Sequence, residues 1–438
     1  MPGSAADLHR DPARGRVVVV ALCGAGDRPI PSLGGRTPLE VAATPELDRV
    51  AAAGASTLLE VISADVPPES DSGAMSLLGY DPRRYYTGRG PLEALGMGYW
   101  DPQGSTVAFR INFACWEPST GRLDRRTARD LTDAELAVLV DEIRAGVRLD
   151  PDVRVDLTGF GRHRGILSLA SRERPLSGRV TNTDPGFDVR GGFGVPVSHP
   201  GREPRRCLPA ANDAAARDTA DLVNRFVAES ARVLQDSAVN RERVADGRLP
   251  ANLLLVRDAG HTLPELPSFA DRTGRTLAMY GQIPAERGLA QLIGARFVTS
   301  GPGQGTLSGY YRELAAALLA DPAEVVFVHV KGPDEPGHDG RPDDKVAALE
   351  AIDAGLVGPL RAGLDATDTL VVTCDHATPC ELGIHAADRV PTAATGPGIV
   401  RDTTSAFNEP ACATGGLDVA HASLLLERLG RAASAVAR

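Results

Sequence analysis

Apolar runs of strand length recur along the chain and end in loops that carry glycine or charged residues. Val17–Leu22, Val325–Val330 and 370–373 are nearly continuous apolar runs, which is typical of strands buried on both faces of a parallel sheet. Patterns of helical period separate these runs. The order of strand, helix and strand therefore predicts βαβ units and an α/β protein.

The middle of the chain follows a different pattern. Residues 107–113 alternate between apolar and polar positions, as a half-buried strand does. Thr132 begins a capping box that opens a helix, and a long amphipathic helix is predicted over 215–235. The stretch 185–210 is dense in glycine and proline, which favours a long loop.

Composition excludes several classes of protein. A chain of 438 residues exceeds one ordinary core and predicts two or three domains. The net charge of -10 disfavours general nucleic-acid binding, which needs a basic face. No apolar run approaches the roughly eighteen residues of a membrane helix, and the polar N-terminus lacks a signal-peptide core, so we expect a cytoplasmic protein. The six cysteines include no C-x-x-C pair, which argues for reduced thiols and against a structural zinc knuckle.

Acids and imidazoles follow two of the predicted parallel strands. Asp334 and His338 come after the first, Asp375 and His376 after the second, and His385 lies a short loop later. Ligands collect at the carboxyl ends of strands in open α/β sheets, so these side chains are expected to converge. A single histidine in such a loop is more often an ordinary hydrogen-bonded residue. The clustering favours a metal site, and this donor set suits zinc or manganese.

Ser70 stands where a helix is predicted to begin. A serine at this position is most often an N-cap. The same position also exposes a hydroxyl to the positive end of the helix dipole, which suits a nucleophile that attacks phosphate. Spacing alone leaves both interpretations open.

A series of motifs resembles one family. The chain carries Tyr-Tyr-Thr-Gly-Arg-Gly-Pro-Leu-Glu-Ala-Leu-Gly at 85–96 and Asp-Glu-Pro-Gly-His-Asp-Gly at 334–340. Further matching stretches, in chain order, are 26–29, 37–40, 70–71, 78–82, 109–110, 112–114, 124–126, 183–185, 375–376 and 378–379. This series is similar to the archaeal-type, cofactor-independent phosphoglycerate mutases of the alkaline phosphatase superfamily.

The resemblance implies an α/β fold, with an alkaline-phosphatase-like doubly wound core and an inserted α+β domain. We expect residues 1–85 and 300–438 to form the metal-binding core and 86–299 to form a substrate-binding insert. Two divalent metal ions, zinc or manganese, would be the cofactors. The resemblance assigns one metal to Asp334, His338 and His385, and the other to Asp375, His376, Ser70 and the position of Cys23.

The resemblance also implies residue roles. Ser70 would be the nucleophile that accepts a phosphoryl group and returns it to the neighbouring hydroxyl. Arg257 and Asp258 would act in catalysis and orient the substrate, and Arg89 and Arg162 are further candidates for substrate binding. The expected partner is a small phosphorylated metabolite, with neither nucleic acid nor membrane. The pattern makes no prediction of oligomeric state.

Four positions depart from the family pattern. Cys23 replaces an aspartate that would bind the second metal, and a thiolate suits zinc better than manganese or magnesium. Arg287 stands where the family has a lysine before Gly-Ile-Ala, so we expect it to bind phosphate and to act in catalysis without releasing a proton. Ala74 replaces a histidine, and Glu69 replaces the glycine before the nucleophile.

Three functions remain open at this point. The first is phosphoglycerate mutase activity in glycolysis, through a phosphoserine intermediate. The second is a divergent paralogue, a phosphatase or phosphomutase acting on another phosphate or phosphonate metabolite. The third is a catalytically silent homologue. We expect phosphoryl transfer to survive, because six of the seven presumed metal ligands remain.

Overall fold

The computed structural model describes residues 15–301 and 306–436. Residues 1–14 of the polar N-terminus lie outside the described residues. The strands are β1 (Val17–Leu22), β2 (Ala55–Leu59), β3 (Ser105–Glu117), β4 (Arg122–Asp124), β5 (Val153–Phe160), β6 (Arg164–Ser171), β7 (Phe187–Arg190), β8 (Phe193–Pro196), β9 (Leu253–Gly260), β10 (Leu277–Gly281), β11 (Arg296–Thr299), β12 (Val325–Val330), β13 (Thr369–Cys374) and β14 (Val390–Thr395).

The helices alternate with these strands in the terminal parts of the chain. They are α1 (Pro38–Val41), α2 (Pro45–Ala53), α3 (Ser70–Leu77), α4 (Pro82–Tyr85), α5 (Arg89–Met97), α6 (Asp133–Gly146), α7 (Ala214–Gln235), α8 (Ala238–Ala245), α9 (Phe269–Thr273), α10 (Pro284–Leu292), α11 (Leu307–Ala320), α12 (Asp334–His338), α13 (Pro342–Ile352), α14 (Gly358–Gly363), α15 (Glu409–Cys412) and α16 (Leu425–Val436). Among the described residues, none of these helices has the length and apolar character that a bilayer crossing requires.

The first unit is built from both ends of the chain, Met1–Tyr85 and Glu265–Arg438. Its seven-stranded sheet has the order β11-β10-β12-β1-β13-β14-β2. The strands from β11 to β13 pair in parallel, and β14 runs antiparallel to both of its neighbours. We call this unit the core.

Strand β1 occupies the middle of the core sheet. Val17 pairs with Val325 of β12 on one side and with Thr369 of β13 on the other. Nearly every side chain of these three strands is buried, which explains why their sequences are apolar without alternation. Because the strands are parallel, their carboxyl ends meet at one edge of the sheet.

The predicted boundary of the insert at residue 299 needs correction. Strands β10 and β11 lie within 265–299, and β10 pairs with β12 in the core sheet. The second unit is therefore Tyr86–Pro264. Both strands have only four or five residues, so their sequences carry little periodicity to mark them as part of the core.

The second unit, which we call the insert, contains a five-stranded antiparallel sheet. Its order is β4-β3-β6-β5, with β9 paired to β3. Helices α6 and α7 contribute Leu139, Ile143 and Phe226 to a buried cluster with side chains of the sheet. The predicted α/β core with an inserted α+β unit is thus confirmed.

The stretch 185–210, predicted as a long loop, contains the hairpin formed by β7 and β8. Gly191 and Gly192 form its turn with φ of 57° and 90°. This left-handed backbone explains the glycine pair that favoured a loop in the sequence.

Candidate functional site

The predicted chemistry gathers at the carboxyl edge of the core sheet. Cys23 directly follows β1, Asp334 opens α12 after β12, and Asp375 and His376 directly follow β13. Ser70 opens α3. Because β1 lies between β12 and β13, the three loops are neighbours, as the strand pattern predicted.

Asp334, His338 and His385 form the first donor group. The Nε2 atoms of the two histidines are 3.1 Å apart, and each lies 3.5 Å from Asp334 Oδ1. The Nδ1 atoms face the backbone carbonyls of Gly383 and Pro68, both at 2.9 Å, so Nδ1 carries the proton and donates. Three lone pairs thus converge on one point. Donors around tetrahedral zinc lie about 3.3 Å apart, so this group fits a divalent cation.

Glu69 lies beside the first donor group. Its side chain is buried, and its Oε1 is 3.4 Å from His385 Nδ1. Burial lowers the pKa of His385, but the carboxylates of Glu69 and Asp334 raise it well above its usual value. These carboxylates therefore favour positive charge at this imidazole, which either a proton or a bound cation supplies. A carboxylate in this position is typical of the groups that orient metal-binding histidines.

Cys23, Asp375, His376 and Ser70 form the second donor group. Cys23 Sγ lies 3.4 Å from Asp375 Oδ2, 3.8 Å from His376 Nε2 and 3.6 Å from Ser70 Oγ. His376 Nε2 and Asp375 Oδ2 are 3.2 Å apart. Mixed sulfur, nitrogen and oxygen donors of tetrahedral zinc lie about 3.3–3.6 Å apart, so the group fits zinc. The soft sulfur makes it a poor site for manganese.

Thr378 links the two donor groups. Its Oγ1 donates to Asp334 Oδ1 at 2.7 Å and lies 3.1 Å from His376 Nδ1. Since the hydroxyl proton goes to Asp334, His376 Nδ1 donates to Thr378 and leaves Nε2 as an acceptor. This arrangement sets the tautomer that a metal ligand requires.

His329 lies behind Asp375, and the sequence motifs did not indicate it as part of the site. Its Nδ1 contacts Glu286 Oε1, and its Nε2 lies 2.7 Å from Asp375 Oδ2. Burial and Lys331 lower the pKa of His329, but Asp375, Cys23 and Glu286 raise it well above its usual value. Both ring nitrogens therefore donate to carboxylates, so His329 orients Asp375 and is unsuited to bind a metal itself.

Lys331 is the cation that sequence reasoning missed. It directly follows β12, and its Nζ lies 2.8 Å from Ser70 Oγ and 2.9 Å from Cys23 Sγ. Burial and Asp375 oppose ionisation of the Cys23 thiol, but Lys331 and His329 lower its pKa to about 7. Composition held a signal for this residue. Of 47 basic residues only two are lysines, Lys331 and Lys345, and 45 are arginines.

Arg287, the residue predicted at the family's lysine position, has other surroundings. It is exposed on α10. Its guanidinium donates to Thr299 Oγ1 at 3.0 Å and lies 5.4 Å from the centroid of the Phe297 ring. Its role in phosphate binding stays a prediction.

The insert holds a buried cluster of charged residues. Arg89 Nε donates to Glu93 Oε1 at 2.8 Å, and Arg110 contacts the same carboxylate. Arg257 and Asp258 contact each other in β9. All five are buried. The cluster therefore contains three guanidiniums and two carboxylates, a composition suited to an anion.

Backbone geometry places Arg257 and Asp258 in this cluster. The register between β3 and β9 shifts between Ala108 and Arg110, and Asp258 has a φ of 54°. Such bulges turn side chains out of the regular alternation of a strand. Arg162 lies in the same unit but is exposed in the turn after β5, also with a positive φ, of 72°.

The pKa shifts of Arg110 and His163 in the insert agree with a net positive charge of the cluster. The pKa of Arg110 is lowered to about 9, mainly by burial; Glu93 opposes this shift, and the cations Arg89, Arg164 and Arg257 add to it. Burial and the same kind of neighbours lower the pKa of His163 to about 2, so this imidazole is neutral. An added anion would relieve the repulsion among these cations.

Comparison with known proteins places these features in a family context. A family model described as 2,3-bisphosphoglycerate-independent phosphoglycerate mutase matches residues 51–240. The protein of this name from Methanopyrus kandleri is 38% identical over 410 residues, which cover 91% of this chain and 92% of the relative. The protein named 2,3-bisphosphoglycerate-independent phosphoglycerate mutase 1 from Archaeoglobus fulgidus is 37% identical over 409 residues, covering 92% and 94%.

Solved structures agree over most of the chain. The cofactor-independent phosphoglycerate mutase from Thermoplasma acidophilum has 30% sequence identity and a TM-score of 0.59, covering 96% of this chain and all of that one. The PH0037 protein from Pyrococcus horikoshii has 27% identity and a TM-score of 0.74, covering 96% and 98%. The likeness therefore extends over both the core and the insert.

Proposed function

The chain belongs to the 2,3-bisphosphoglycerate-independent phosphoglycerate mutase family, and we propose that it interconverts 2-phosphoglycerate and 3-phosphoglycerate through a phosphoserine at Ser70. The observation that carries this proposal is the place of the Ser70 hydroxyl. It opens α3 and lies 3.6 Å from Cys23 Sγ and 2.8 Å from Lys331 Nζ. With this activity the protein would serve glycolysis in the cytoplasm.

Two divalent cations fit the donor groups. Asp334, His338 and His385 would hold one, and Cys23, Asp375 and His376 with Ser70 would hold zinc. Bound there, they would lower the pKa of a hydroxyl and neutralise phosphoryl oxygens. The chain itself presents Ser70 Oγ at the N-terminus of α3, where the helix dipole favours a negatively charged group.

The insert supplies a binding site of the right charge for the substrate. Phosphoglycerate carries a carboxylate and a phosphate, and guanidinium groups bind both in bidentate geometry. We assign this binding to Arg89, Arg110 and Arg257, with Asp258 fixing the orientation of Arg257. Arg162 and Arg287 are exposed and are further candidates for phosphate contact.

The first experiment measures mutase activity and the phosphoserine together. An enolase-coupled assay follows conversion of 3-phosphoglycerate, and mass spectrometry of protein quenched during turnover identifies phosphorylated residues. We expect activity and phosphate on Ser70, both lost in Ser70→Ala. The matched control is Ser72→Ala, in the same helix, where the Ser72 hydroxyl accepts from the Glu69 amide and donates to the Glu69 carbonyl. Active protein with no phosphate on Ser70 would refute the mechanism.

A panel of other phosphate esters and phosphonates belongs in the same experiment. If the metal-loaded protein phosphorylates Ser70 from one of these and leaves both phosphoglycerates unchanged, it is a divergent paralogue. If no compound phosphorylates Ser70, the protein is a silent homologue.

The role of Cys23 is tested by metal content and spectroscopy. We expect two metals per chain, with zinc preferred over manganese at the second donor group. Cobalt-loaded protein should show a thiolate-to-cobalt charge-transfer band that Cys23→Ser and Cys23→Asp both lack. Cys23→Asp should restore manganese binding, because a carboxylate is the harder ligand. Unchanged metal content and an unchanged spectrum in Cys23→Asp would show that Cys23 is no ligand.

A further inference from the structure

The two lysines of this chain both make contacts at the carboxyl edge of the core sheet, beside the donor groups. Every other basic residue is an arginine. Lysine differs from arginine as a compact point charge with three N–H donors on a narrow stem. In a chain that uses arginine for almost all of its positive charge, the two lysines stand at positions where a compact ammonium group donates to several acceptors at once.

The surroundings of the two lysines differ. Lys345 is fully buried and donates to the carbonyls of Gly26 and Thr378 and to the Asp27 carboxylate. Lys331 is partly exposed, and among the described residues its hydrogen bonds go only to Ser70 Oγ and Cys23 Sγ. Lys345 thus binds main-chain carbonyls and a buried carboxylate, whereas Lys331 contacts the proposed reacting atom.

We propose that Lys331 is a catalytic residue of the phosphoryl transfer. Its ammonium group fixes the Ser70 hydroxyl with one N–H and the Cys23 sulfur with a second, and its third N–H binds an oxygen of the transferring phosphoryl group. The inference rests on the proposed function and deepens it. Lys331 also supplies a cation at the nucleophile. Arg287, which stands at the position of the family's lysine, is exposed and contacts Thr299 instead.

The reaction balances without a change in the protonation of Lys331. The bond between Ser70 Oγ and phosphorus forms as the bond between phosphorus and the glycerate oxygen breaks, and the Ser70 proton ends on that oxygen. In the return step the bond between phosphorus and Ser70 Oγ breaks as phosphorus bonds to the neighbouring glycerate oxygen, whose proton returns to Ser70 Oγ. Lys331 contributes charge and position only, in the manner of an oxyanion-hole donor.

Two variants separate charge from structure. Lys331→Met keeps the length of the side chain and removes the charge. We expect kcat to fall by about 10²–10³-fold, as for loss of a donor aimed at developing charge, with KM changed far less. Metal content should stay at two per chain. Lys331→Arg keeps the charge in a larger group and should recover part of kcat.

Selective labelling of lysine gives a readout that a structural role would not produce. Protein labelled with ¹³C at lysine Cε should give two NMR signals, and Lys331→Met identifies one of them. In the metal-loaded wild type, 2-phosphoglycerate should shift the Lys331 signal and leave the Lys345 signal in place. This measurement stands even if Lys331→Met fails to fold, because Lys331→Arg also removes the Lys331 signal and so identifies it.

Three results would overturn the proposal. They are a kcat of Lys331→Met equal to that of the wild type, a Lys331 signal unmoved by 2-phosphoglycerate, and loss of a metal in Lys331→Met, which would make the residue structural. Failure of the proposed function is distinct from all three, because the wild type itself would then show neither mutase activity nor phosphate on Ser70.

Discussion

Removal of the buried Lys345 charge should destabilise the core and loosen the metal centre together. Its Nζ lies 2.8 Å from Asp27 Oδ2, 3.1 Å from the Gly26 carbonyl and 2.9 Å from the Thr378 carbonyl. Gly26 follows Cys23 in the loop after β1, and Thr378 follows His376 in the loop after β13. One ammonium group therefore ties together the loops that carry the second donor group.

The loss of unfolding free energy in Lys345→Met depends on how well the Asp27 carboxylate is compensated without its cation. Asp27 is 6% exposed and would lose its cation, although it keeps backbone N–H donors from Arg28 and Cys380. Removing one partner of a buried ion pair costs about 3–5 kcal/mol. At about 2–4 °C per kcal/mol for a domain of this size, the melting temperature of the metal-free protein should fall by about 6–20 °C.

A double-mutant cycle isolates the ion pair. Asp27→Asn, Lys345→Met and the double variant are melted without metal, and zinc affinity is measured by competition with a chelator. We expect the double variant to be less destabilised than the sum of the single ones, because it leaves no unpaired charge. Zinc affinity should fall in Lys345→Met. Additive effects, or a Lys345→Met melting temperature within 2 °C of the wild type, would refute this reasoning.

Three further predictions test single positions. Thr378→Val removes the hydroxyl shared by the donor groups and should weaken metal binding about 10–100-fold in a chelator competition; unchanged affinity would contradict it. Gly73→Ala places a Cβ 2.6 Å from the Asp375 carbonyl oxygen, so its melting temperature and metal content should fall, whereas Gly430→Ala, which meets nothing within 4 Å, should lower neither. Burial raises the pKa of Glu135, but the Thr132 amide and a guanidinium lower it to about 2. Glu135 should therefore stabilise the protein above pH 4.5, and the difference in unfolding free energy between wild type and Glu135→Gln should vanish towards pH 2; a constant difference would exclude this.

The sequence predicts the core strands well and the extent of the core less well. The valine-rich runs predict β1 and β12 with the same first and last residues as in the structure, because strands buried on both faces must be apolar throughout. The capping box at Thr132 likewise marked the start of α6. Residues 265–299, which contain β10 and β11, are predicted as part of the insert, because their place in the core sheet depends on the pairing of β10 with β12, which is distant in sequence.

The candidate site shows the same division between local and distant information. Topology alone placed Asp334, Asp375 and His376 at the same edge of the sheet, and the structure brings them within reach of each other. Their role as metal ligands stays a prediction. The contacts of Lys331 and Glu69 were not predictable, because they depend on how loops from three strands pack around α3.

The place of β1 at the centre of the core sheet has a consequence for biosynthesis. Val17 leaves the ribosome about 300 residues before its partner Val325. Meanwhile the insert, whose sheet partners all lie within Tyr86–Pro264, can fold. The valine-rich strand β1 therefore has no pairing partner through most of translation, and we expect nascent chains to depend on chaperones. Because the same pairing is distant in sequence, refolding from denaturant should be slow.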